Sequence, residues 1–76
     1  MKYDFKVIDK GLVQPITIEP VIYQGRHIYE VGINGMYTLV YQDDDQWKCE
    51  DEHQMNADLL AQVSEKIMLL TRKLQA

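Results

Sequence analysis

The chain has 76 residues, 46% of them hydrophobic and 26% charged, with a net charge of −4, which implies one globular domain near the lower limit for a self-sufficient core. Its eight Lys and Arg are scattered from Lys2 to Lys73, which argues against the clustered basic surface of a generic nucleic-acid binder. No apolar run approaches membrane-spanning length, the opening MKYDFK lacks a hydrophobic signal segment, and a single Cys forms no internal disulfide, so a cytoplasmic protein is expected.

Four punctuation points organise the first two thirds of the chain: Lys10-Gly11, Gln24-Gly25, Asn34-Gly35 and Asp43-Asp44-Asp45. An X-Gly pair between alternating apolar runs signals a two-residue hairpin turn, because glycine accepts positive φ without steric cost. Two-residue loops at the first three points set Phe5 opposite Ile16, Ile18 opposite Val31 and Ile33 opposite Met36. These registers follow from separate turns, yet they put the same residues on one face, and a one-residue slip at any turn would invert a strand. The prolines agree: Pro15 sits where no bond to the first strand is required, and Pro20 faces only Met1, beyond that strand's start.

Extending the alternation predicts a four-residue last loop, Gln42 to Asp45, built on a type I turn that favours Asp. Tyr41 and Gln46 then close the hairpin, with Trp47 opposite Val40 and Cys49 opposite Thr38. Five antiparallel strands result, over roughly 2–8, 12–23, 26–33, 36–42 and 46–51, in the order 1-2-3-4-5. The expected core face carries the rows Met1–Pro20–Tyr29–Val40–Trp47, Tyr3–Ile18–Val31–Thr38–Cys49 and Phe5–Ile16–Ile33–Met36–Asp51.

A helix over 56–75 covers that face, with Asn56 as N-cap, Asp58 in the first turn, and Arg72 and Lys73 in the last. Leu60, Val63, Ile67, Leu70 and Leu74 recur at three- and four-residue steps as its apolar stripe. At 1.5 Å per residue such a helix is about 28 Å long, enough to cross the sheet. The fold class is therefore α+β: a five-stranded antiparallel β-meander with one C-terminal helix on one face, as a single domain over 1–76.

Chemistry-bearing constellations are few. The segment YQDDDQWKCEDEH, 41–53, holds six of the twelve acids, the only Trp and the only Cys. An EF-hand calcium loop starting at Asp43 requires Gly at its sixth position and Glu at its twelfth, where Lys48 and Gln54 stand. Weak divalent-cation binding at the acidic tip 43–45 remains an alternative. Cys49 and His53 have the spacing of half a zinc site but no second ligand pair, and the alternation turns Cys49 into the core. No base lies within reach of Cys49 or Ser64, and the four glycines are accounted for by three turns and a strand position rather than a phosphate loop. No catalytic residue, metal ligand or cofactor is therefore expected, and the chain is read as non-enzymatic.

The outer sheet face is mixed. Glu19 opposes Glu30, with Leu39 and Lys48 in the same expected row, and Gly32 lies under Tyr37. Val21, Tyr23, Ile28, Tyr37, Leu39 and Tyr41 on that face, with Met68 and Leu69 on the helix, form the candidate interaction surface. The expected partner is a protein, or a second copy of the chain as a homodimer. Single-stranded nucleic acid stacking on the tyrosines is the alternative, opposed by Asp4, Glu19, Glu30 and Glu50 on the same face.

Overall fold

In the computed structural model, residues 1–50 and 55–75 are described, with helix side chains as far as Arg72. Strands β1 (Tyr3–Asp9), β2 (Leu12–Tyr23), β3 (Arg26–Ile33), β4 (Met36–Asp43) and β5 (Gln46–Cys49) precede helix α1 (Ala57–Gln75). The sheet is antiparallel in the order β1-β2-β3-β4-β5, the expected meander.

All four hairpins turn in the same way. Lys10-Gly11, Gln24-Gly25, Asn34-Gly35 and Asp44-Asp45 each place both loop residues at positive φ, the signature of type I′ turns, whose twist matches that of the strands they join. The first three registers are as expected, with Phe5 opposite Ile16, Ile18 opposite Val31 and Ile33 opposite Met36.

The fourth hairpin differs from expectation. Its loop has two residues, closed by Asp43 and Gln46, so Val40 faces Cys49 and Gln42 faces Trp47. Aspartate tolerates the left-handed region, and Asp44 and Asp45 occupy it at φ 51° and 65°. The tighter loop keeps Gln42 and Asp43 in the ladder instead of spending them on the turn. Because the slip is two residues, Trp47 and Cys49 stay on the core face. Cys49 still reaches its expected neighbour diagonally, with Sγ 3.1 Å from Thr38 Oγ1.

The core lies between the concave sheet face and α1. Val7, Ile16, Ile18, Val31, Ile33, Val40 and Cys49 meet Leu59, Val63, Ile67 and Leu70, with Met55 closing the helix entry. Tyr29 and Trp47 pack at its margin, ring centroids 6.2 Å apart. Met36, expected in the core, is 53% exposed at the rim. In the helix stripe Leu59 is buried and Leu60 only half-buried; Asp51, His53 and the side chains of Lys73 and Leu74 lie outside the described residues.

Asn56 caps α1 as expected, its Oδ1 accepting the Leu59 N–H at 2.7 Å. Burying the four apolar helix side chains contributes on the order of 6–12 kcal/mol gross, against about 1 kcal/mol for such a cap. Docking on the sheet, rather than local propensity, therefore holds the helix.

The sheet curls so that both edge strands, β1 and β5, approach α1. At the β1 edge a helix side chain closes part of the ladder. The two-residue turn makes the odd residues of β1 bond to β2, leaving the amides of Asp4, Lys6 and Ile8 pointing outward. Gln62 Oε1 accepts the Ile8 N–H at 2.8 Å, and its Nε2 donates to the Ile8 carbonyl at 2.7 Å. The carboxamide thus takes the place of a neighbouring strand at that position and blunts an otherwise open edge.

Candidate interaction surface

Strand parity and helix phase divide the expected surface in two. Val21, Tyr23, Ile28, Tyr37, Leu39 and Tyr41 lie on the convex sheet face, whereas Met68 and Leu69 lie on the outward side of α1. The concave face and its helix separate the two groups, so one flat contact does not cover both.

On the convex face, Val21 pairs with Ile28 as expected, and Tyr23, Tyr37 and Val21 are exposed. The register of β5 changes their polar neighbours. Glu50 N–H donates to the Leu39 carbonyl at 2.9 Å, so Glu50, not Lys48, continues the row of Glu19, Glu30 and Leu39. Lys48 moves opposite Tyr41 and bonds Asp43 at 3.1 Å. Leu39 is therefore flanked by two glutamates, while Glu19 is met by the Met1 ammonium at 3.3 Å.

Two of the tyrosines carry cations on their rings. Lys2 Nζ stands 5.2 Å from the Tyr37 centroid, and the Arg26 guanidinium 5.8 Å from that of Tyr41. These contacts occupy ring faces on which a base would stack. Tyr37 also closes over Gly32, where an added Cβ would come within 2.9 Å of its ring and 2.6 Å of Thr17 Oγ1.

The helix face is simpler. Met68 and Leu69 are 48% and 47% exposed, side by side on the surface opposite the buried stripe, and Glu65 and Arg72 border them. Neither charged residue entered the sequence-based surface, although their three- and four-residue spacing from Met68 and Leu69 marks them as neighbours. Ile8 and Val13, paired on the convex face near the β1–β2 turn, and Leu12 on the other face are also exposed; no helix-period or core-row pattern singled them out.

The residues weighed for chemistry do not assemble. Among the described residues, no three His, Cys, Asp or Glu side chains converge on a point that could hold a metal ion, and Asp43 at the acidic tip is engaged by Lys48. Cys49 is buried against Thr38, and Ser64 donates to the Ala61 carbonyl within its own helix at 2.8 Å. Among the described residues no helix is long and apolar enough to cross a membrane. No protein-family model, curated protein or solved structure matches the chain.

Proposed function

We propose that the chain is a small non-enzymatic interaction module that associates with itself. The observation carrying this reading is the exposed pair Met68–Leu69 on the side of α1 opposite the core. Two large apolar side chains adjacent on a solvent-facing helix surface leave hydrocarbon in water that a contact removes, at roughly 25 cal/mol per Å². A domain of this size has a limited core and gains stability from association.

The convex face supports a contact less well. Its apolar residues are interrupted by Glu30 and Glu50 beside Leu39, and two of its tyrosine rings already hold cations. A dilution series followed by amide chemical shifts tests the reading. Concentration-dependent shifts centred on Met68 and Leu69 are expected from low micromolar to near-millimolar chain. A spectrum invariant over that range sinks it.

A further inference from the structure

We infer that α1 pairs with the α1 of a second copy, antiparallel, across a twofold axis passing between Met68 and Leu69. This deepens the self-association reading above and rests on it. The outward face of the helix has a reversal symmetry: Glu65, two residues, Met68-Leu69, two residues, Arg72. Reading the segment backwards exchanges Met68 with Leu69 and Glu65 with Arg72.

Glu65 and Arg72 lie two helical turns apart, about 20° from a common line along the helix. Met68 and Leu69 sit midway between them, about 100° apart, one on each flank. All four are exposed, as is Ala61, the next residue along that line toward the start of the helix. Laying a second helix antiparallel on this face brings Met68 and Leu69 of both copies into one apolar centre. It also sets each Glu65 against the Arg72 of the other copy, giving an ion pair at both ends.

Charge selects this occupant. A parallel helix would oppose Glu65 to Glu65 and Arg72 to Arg72, whereas the antiparallel twofold pairs opposite charges twice, as an isologous contact requires. Among the described residues neither Glu65 nor Arg72 forms an ion pair within its own chain. A single helix seam buries less than the roughly 800 Å² per partner of a standard interface, so the dimer is weak and reversible, in the micromolar range.

The test is charge reversal with complementation, read as a dissociation constant by sedimentation equilibrium. Glu65→Arg and Arg72→Glu, each at an exposed position, replace two attractions per dimer by two repulsions and each weaken association by roughly ten- to a hundredfold. Mixing the two variants in equal amounts restores association as a heterodimer, since each chain then supplies the charges the other lacks. Leu69→Lys, on the flank of the seam, weakens association independently of either pair. A dimeric parent chain whose association ignores the reversals, or variants that fail to complement, overturns the seam and leaves self-association standing. A parent chain that stays monomeric overturns both.

Discussion

Gln62→Ala removes the side chain that stands in for a missing strand at Ile8, and its consequence is local enough to be read one amide at a time. Both hydrogen bonds to Ile8, at 2.8 and 2.7 Å, are lost, together with an exposed 3.2 Å bond from Gln62 Nε2 to Asp58 Oδ2 worth a few tenths of a kcal/mol. Ile8 is 57% exposed, so water replaces much of each bond, and the net loss is about 0.5 kcal/mol apiece, the low end for a protein hydrogen bond. Alanine returns a few tenths through helix propensity. The balance, about 0.5–1 kcal/mol, lowers the melting temperature by roughly 2–8 °C for a domain of this size.

Hydrogen exchange is the sharper assay. In the parent chain the outward amides of Asp4 and Lys6 exchange fast, whereas Ile8, on the same edge, is protected. In Gln62→Ala the Ile8 amide joins the fast set, while Phe5 and Val7, bonded to β2, keep their protection. Gln62→Glu keeps an acceptor for the Ile8 N–H but loses the donor to the carbonyl and to Asp58, against which it sets a second carboxylate, so protection is partly retained while stability falls. An Ile8 amide that exchanges as fast as Lys6 in the parent, or that ignores Gln62→Ala, would refute the edge-closing role.

Three further outcomes follow from the geometry. Asp45→Gly relieves a left-handed aspartate at φ 65° and completes the X-Gly pattern of the other turns; steric relief of about 1–2 kcal/mol less the entropy of glycine leaves a gain near 0.5 kcal/mol, seen as a melt higher by roughly 2–4 °C. Gly32→Ala drives a Cβ to 2.6 Å from Thr17 Oγ1 and 2.9 Å from the Tyr37 ring, and displacing that ring costs about 1–2 kcal/mol by chemical denaturation; a neutral or stabilised variant contradicts the reading of Tyr37 as its cover. Asn56→Ala strips the cap from Leu59 and costs about 1 kcal/mol, measurable as a lower denaturation midpoint with an unchanged slope.

Much of this architecture is written in turn chemistry. Lys10-Gly11, Gln24-Gly25 and Asn34-Gly35 each end in the residue that a type I′ turn prefers at its second position, so three registers follow from the loops alone. Asp44-Asp45 carries no such mark, because aspartate serves equally in a type I turn and at positive φ. The two-residue slip that results preserves faces but exchanges neighbours, and it puts Glu50 beside Leu39, changing the charge around part of the expected surface.

The helix was legible both as an element and in phase, since Val63, Ile67 and Leu70 of its expected stripe are buried; only the first member of the stripe differs. Leu59 and Leu60 are adjacent, both fit an apolar stripe, and only docking against the curled sheet selects Leu59 for burial. The Gln62–Ile8 bond was not legible at all, since it depends on how far the sheet curls toward the helix. The pair Met68–Leu69 was found because two apolar residues fell off the stripe. Its charged borders, Glu65 and Arg72, carry no signal in hydrophobic periodicity and are marked only by their spacing from the pair.

Self-association is tested most directly by the mass of the parent chain in solution. Light scattering across the micromolar range is expected to give a weight that climbs with concentration toward twice the 8.9 kDa of one chain. A weight that remains at 8.9 kDa throughout contradicts the account.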